Sequence, residues 1–193
     1  MNIIGLTGPT GSGKDTVARV LCETQGFVPA AFADVIRAAV SSVFGLDSSY
    51  FFDRAKKEAI VIRIGKSPRE LMQSAGDWLR DLDPDMLLIL LQPRITRLLK
   101  ASKDLHINGI VISDVRRDNE ARYVRDMGEI WHIHRTTMAH TGLASNTRLH
   151  STEAGVEWKT GDRLIHNAGS IDDLYDNVNA VFTLEETSCQ TTS

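Results

Sequence analysis

This chain has few features that would crosslink it, embed it in a bilayer or bind it to a polyanion. It has only two cysteines, Cys22 and Cys189. They form no disulfide framework and no zinc-type spacing, which suits a reducing cytoplasm. Long apolar runs are missing too. The longest, Met86 to Leu91, is far too short to span a bilayer. Charge of one sign is not in excess: Lys+Arg number 22 against Asp+Glu 25, a net charge of -3. A general role on nucleic acid or a membrane surface therefore has no electrostatic support. There is no internal repeat, and the N-terminal residues read as a strand rather than a leader. His140, His150 and His166 are scattered without paired ligand spacing, so no metal site is expected from them. No Ser-His-Asp or Cys-His arrangement suggests covalent catalysis. What is present is a 193-residue chain with 42% hydrophobic and 24% charged residues. That is enough for one domain with a real core.

The most informative stretch is Gly8-Pro9-Thr10-Gly11-Ser12-Gly13-Lys14-Asp15-Thr16. It follows the apolar run Asn2 to Thr7 and precedes Val17 to Cys22, an order that reads strand, glycine-rich turn, helix. Gly8, Gly13 and Lys14 occupy the fixed places of a phosphate-binding loop, G-x-x-x-x-G-K. Glycines let the backbone curl so that successive N–H groups point at a phosphate, and the helix adds its positive N-terminal end. Lys14 would supply a charge for the terminal phosphates. One departure stands out: Asp15 follows the lysine where Ser or Thr is usual, and the hydroxyl comes one place later, at Thr16.

Further along, Phe27 to Phe32 reads as a second strand, and Asp34 as the cap of a helix from Val35 to Phe44. A helical piece is expected over Arg54–Ile62. Ser67-Pro68-Arg69-Glu70 is a strong helix start, with Leu71, Met72, Ala75, Trp78 and Leu79 on its apolar face. Asp83-Pro84 opens another helix, with Pro93 inside it. Ile110 to Ser113, Glu129 to His134 and Arg163 to His166 read as strands. Helices are expected over Asn119–Met127, around Ser151–Trp158, and from Ser170 to Phe182. Residues 136–150 are polar and aperiodic and read as a lid, and residues 184–193 as a disordered tail. Strands alternate with helices, which predicts a parallel sheet of about five strands with helices on both faces, a three-layer α/β sandwich. Ligands in such sheets bind beyond the carboxyl ends of the strands.

Polar residues follow each predicted strand. Asp114 can hold Mg²⁺ through water beside the Thr16 hydroxyl, or simply cap a turn. Arg37 lies in the first turn of its helix, where a cation is disfavoured and an anion partner is invited. Arg116 and Arg117 are two rigid forks matched to phosphate oxygens, though one of them can pair with Asp118 or Glu120 instead. Arg69, Gln73, Asp77 and Arg80 share one helix face, which is either a solvated face or the wall of an acceptor site. Arg135 and Arg148 flank the lid, which could close over transferring phosphates.

In order, these segments resemble the nucleoside monophosphate kinases, most closely the deoxynucleoside monophosphate kinases typical of bacteriophages. GPTGSGKDT resembles their loop; AFADVIRAAV is similar to the acceptor-phosphate helix of adenylate kinases; SPRELMQSAGDWLR, VISDVRRDNEA, HSTEAG and IHNAGSIDDL resemble further motifs. The resemblance covers about residues 2–182. It implies a P-loop NTPase fold over 1–183, with 46–105 as a helical acceptor-binding insertion. It implies ATP and Mg²⁺ as cofactors, and phosphoryl transfer to a (deoxy)nucleoside monophosphate. Gly8, Gly11, Ser12, Gly13, Lys14, Asp15, Thr16, Asn167 and Gly169 would bind ATP, with Thr16 and Asp114 at the metal. Asp34, Arg37, Arg69, Gln73, Arg80, Asp114 and Arg117 would bind the acceptor. Lys14, Arg116, Arg135 and Arg148 would stabilise the transferring charge. Partners would be small molecules, with a homodimer left open, in the cytoplasm (the host's, if the gene is a phage's). Arg117 stands where those kinases carry an aromatic, and SDVRR also resembles animal-type phosphomevalonate kinases. Phosphomevalonate or dephospho-coenzyme A as acceptor, and a slow ATPase switch or assembly protein, are the rivals.

Overall fold

In the computed structural model, residues 2–135 and 156–190 are described, with 183–190 described by backbone alone. The lid, Arg148 and the HSTEAG motif lie outside the described residues. Five strands form one sheet: β1 (Asn2–Thr7), β2 (Phe27–Ala30), β3 (Gly109–Ile112), β4 (Gly128–Arg135) and β5 (Arg163–Asn167). Their order is β2-β3-β1-β4-β5, and every neighbouring pair is parallel. The central strands are apolar on both faces, as a sheet covered on both sides requires: Ile3, Ile4, Leu6, Ile110, Val111 and Ile112 are all buried. Pro29, which cannot donate to a ladder, sits in β2 at the edge.

Helix α1 (Lys14–Gln25) ends at Gly26. It and α8 (Ile171–Gln190) cover one face of the sheet. Val17, Val20, Leu21, Leu174 and Val178 pack there on Leu6, Val111, Trp131, Ile133 and Ile165. On the other face, Val115 and α7 (Asp118–Arg125) approach so closely that a Cβ on Gly5 would meet Val115 at 2.9 Å and Val124 at 3.0 Å. α8 runs on to Gln190, past the expected stop at Phe182, because no Gly or Pro interrupts it.

The chain divides into two compact units, Met1–Ala30 with Leu98–Ser193, and Ala31–Arg97. The first holds the sheet. The second is helical: α2 (Phe32–Phe44), α3 (Ser49–Phe52), α4 (Arg54–Glu58), α5 (Pro68–Leu82) and most of α6 (Met86–Ala101). α2 packs on α5, with Ile36 against Gly76. The expected helix over Arg54–Ile62 stops at Glu58, and Val61 then bridges to Lys66. α5 starts as expected: Glu70 N–H donates to Ser67 Oγ at 3.3 Å and Ser67 N–H to the Glu70 carboxylate at 2.8 Å. Trp78 departs from expectation, at 61% exposed. The buried stripe of α5 runs through Pro68, Leu71 and Gly76, which leaves Trp78 at its edge. Among the described residues no helix is long and apolar enough to cross a membrane.

One ion-pair cluster fastens the chain where it re-enters the sheet at β5. The Asp162 carboxylate accepts from Arg125 Nε (2.8 Å) and Nη2 (2.7 Å) and from Lys159 N–H (2.9 Å), and it faces His132 Nε2 at 2.9 Å. Burial alone would raise its pKa, but these donors outweigh burial and hold it near 2, against an ordinary 3.8. A folded-state pKa below the unfolded one adds stability that is complete above the ordinary value and is lost as pH falls through the folded one. The Asp162 contribution should therefore fade between pH 3.8 and about 2. Asp162→Ala should cost about 2 kcal/mol at pH 7, since the half-buried Arg125 keeps only its bond to the Glu157 carbonyl. Melting temperatures measured from pH 7 to pH 2 should show the variant's deficit shrinking across that window.

Candidate active site

The loop after β1 is shaped by two glycines whose positions admit no side chain. Gly8 has φ 139°, and a Cβ there would lie 2.4 Å from the Ile133 carbonyl oxygen. Gly13 has φ 106°, and a Cβ there would lie 2.5 Å from Asn167 Nδ2. L side chains rarely adopt such φ values. The loop is thus held against the carboxyl ends of β4 and β5. Asn167 Nδ2 donates to Ser12 O at 2.9 Å, and Arg135 Nη1 reaches Gly11 O at 3.4 Å. Ser12 is buried, and among the described residues its Oγ has no hydrogen-bond partner. A buried, unpaired hydroxyl is unfavourable by itself and suits a site made for a polar ligand. The first N–H groups of α1 lack partners within the helix, as at any helix start.

Lys14 opens α1. Its ammonium donates to the Gly8 and Pro9 carbonyls at 2.7 and 2.8 Å. Burial, and then the Arg116 guanidinium, push its pKa below the ordinary lysine value, while Asp15 and Asp114 pull the other way. The loop lysine, the acid that follows β3 and the first arginine after it thus share one electrostatic environment. Two cations that repel each other in a half-buried place favour an anion nearby. Thr16 and Asp114 offer hard oxygen donors suited to Mg²⁺. Among the described residues no group of three or more His, Cys, Asp or Glu forms a metal cage. A magnesium here would take most of its ligands from phosphate and water, as that ion usually does.

Glu120, expected from the sequence only as a partner of an arginine side chain, has a structural role at this turn. It is 3% exposed and accepts instead from the backbone N–H groups of Arg116 (2.8 Å) and Arg117 (3.1 Å). It fixes the turn that carries both arginines. Its signal was present, a glutamate three residues after the helix cap position, but Arg117 at the cap hides the usual Ser/Thr pattern. Glu120→Ala should cost about 2 kcal/mol by leaving two N–H groups unpaired, with a parallel fall in turnover. Thermal melts and kcat check this, and Glu120→Gln, which keeps an acceptor oxygen, should lose less. Gly169 lies beyond β5, where a Cβ would meet Asp173 at 2.1 Å, and so sits in the cap of α8.

In the helical unit, Asp34 is not the helix cap. It is the third residue of α2, and its carboxylate folds back to accept the Ala31 N–H at 3.0 Å, so the helix begins at Phe32. The same carboxylate holds two guanidiniums, Arg37 at 2.5 Å and Arg94 of α6 at 2.5 Å. Two cations against one anion leave the cluster positive. Arg94 had no signal in sequence, being sixty residues from Asp34. Among the described residues Arg37 Nε is buried without a partner, and its guanidinium lies 4.6 Å from the Phe52 ring centroid. Along α5 the expected residues are not gathered. Arg69 pairs with Glu58 at 2.5 Å, Gln73 is exposed, and Arg80 lies 3.7 Å from Asp77 with its Nε buried and unpartnered.

A family model for deoxynucleotide monophosphate kinase matches residues 67–178, more than half of the chain. The chain belongs to the deoxynucleotide monophosphate kinase family. This kinase is 30% identical over 187 residues to a provisionally named deoxynucleotide monophosphate kinase of Acanthamoeba polyphaga mimivirus, covering 92% of this chain and 94% of that protein. It shares its fold with a provisionally named kinase of Chloroflexus aurantiacus at TM-score 0.50 and 12% identity, over 100% and 97% of the two chains. TT1252 from Thermus thermophilus matches at TM-score 0.47 and 24% identity, over 94% and 96%. The kinase therefore has the α/β P-loop fold and the phosphoryl-transfer activity that its loop and parallel sheet lead one to expect.

Proposed function

We propose that this kinase moves the γ-phosphoryl group of ATP to the phosphate of a deoxynucleoside monophosphate, giving ADP and a deoxynucleoside diphosphate. The observation that carries this reading is the second cationic site. A loop with Lys14, Arg116 and Asp114 suffices for one nucleotide; Arg37 and Arg94 around Asp34 supply a separate anion grip. An ATPase has no use for the second.

Loop amides and Lys14 hold the donor phosphates, with Gly11, Ser12, Gly13, Asp15 and Thr16 lining the same turn. Asn167 and Gly169 border the adenine. Thr16 and Asp114 would hold Mg²⁺, which when bound neutralises developing charge on the β- and γ-oxygens. Arg116 and Arg135 place further positive charge there; Arg148, the other expected contributor, lies outside the described residues. Arg37 and Arg94 grip the acceptor phosphate, with Asp34 fixing both forks. No general base is needed, because a phosphate oxygen is already a nucleophile. The cytoplasm, reducing and rich in nucleotides, is the fitting compartment.

An acceptor panel with coupled ADP detection tests this. Turnover should require a deoxynucleoside monophosphate. Turnover only with phosphomevalonate or dephospho-coenzyme A, or ADP release indifferent to every acceptor, would overturn it.

A further inference from the structure

Phe52 is an exposed aromatic side chain of the helical unit with an arginine on its ring. It is 70% exposed, while its neighbour Phe51 on the same short helix is buried at 3% and supplies the core contact. Exposure alone is ordinary for a single apolar side chain; what sets Phe52 apart is what lies on its ring. The ring lies under the Arg37 guanidinium, 4.6 Å from its centroid. Arg37 in turn holds Asp34 beside Arg94. An anion grip and an exposed aromatic surface are thus adjacent, joined by one side chain. A mononucleotide has the matching form, a phosphate and an aromatic base one sugar apart.

We infer that Phe52 is the stacking surface for the base of the acceptor nucleotide, a binding residue of the monophosphate site. This rests on the reading of Arg37 as the acceptor-phosphate ligand. Stacking uses the π-face that any base has, and contact with the Arg37 cation polarises the same ring. Two roles are open to the ring: it could bind the base, or it could merely seat Arg37. A ligand that has the phosphate but no base separates them.

The test uses the full chain and two probes, the deoxynucleoside monophosphate that turns over fastest and 2-deoxyribose 5-phosphate as a competitor. Phe52→Ala should raise the nucleotide's KM about ten-fold, the usual worth of one stacked base. The Ki of deoxyribose 5-phosphate and the KM for ATP should stay within two-fold. Phe52→Trp should restore the nucleotide KM, and Phe52→Leu, apolar but not aromatic, should not. An unchanged nucleotide KM in Phe52→Ala overturns the inference. So does an equal rise for both probes, which would make the ring a support for Arg37 alone. Arg37→Ala serves as the separate control. If it leaves both probes unaffected, the acceptor reading itself fails, whatever Phe52 does.

Discussion

Lys14→Ala should lower kcat by about 10³-fold or more while leaving the fold intact, because the proposed role of the lysine is to place charge at the transferring phosphoryl group. Its stability role is small for a specific reason. In the free protein its ammonium is disfavoured first by burial and then by Arg116, and its hydrogen bonds go to two loop carbonyls. Removing it relieves a desolvated charge and a repulsion, so the melting temperature should stay level or rise. Lys14→Met, which keeps most of the apolar stem, should behave alike and so rule out a packing effect. A variant with near-normal turnover would sink the assignment of the loop to catalysis. A variant that simply unfolds would contradict the local argument.

The second large effect is at Arg37. Arg37→Ala should lower kcat/KM for the acceptor by about 10²–10³-fold, the worth of two charge-assisted hydrogen bonds to phosphate. The KM for ATP should not move. The folded protein should lose only about 1 kcal/mol, since Asp34 keeps Arg94 and the Ala31 N–H. Arg37→Lys should rescue poorly, because a point charge cannot replace a planar fork. A matched loss in the KM values for ATP and acceptor would argue that Arg37 acts on the whole protein rather than on one substrate.

How much of this was legible in the sequence depended on how far apart the cooperating residues lie. The loop is contiguous, and its glycines, lysine and flanking strand and helix could all be read in place. The parallel sheet was legible because its strands are short apolar runs between turn signals. The start of α2 was read three residues late, since Asp34 works backward onto Ala31 rather than forward as a cap. The Asp34–Arg94 pair could not be read, because packing in the helical unit, not local pattern, brings α2 and α6 residues together. Trp78 misled for the same reason: periodicity gives a face, but the neighbouring helix decides where that face is covered. Glu120 lay between these cases, with correct spacing masked by an arginine at the cap position.

The most direct measurement is the fate of the phosphoryl group. Incubate the kinase with γ-labelled ATP, Mg²⁺ and a deoxynucleoside monophosphate, quench, and count label in the diphosphate and in free phosphate. The account predicts label in the deoxynucleoside diphosphate, mole for mole with ADP, and little free phosphate. Label released as inorganic phosphate at the same rate with and without acceptor would contradict it.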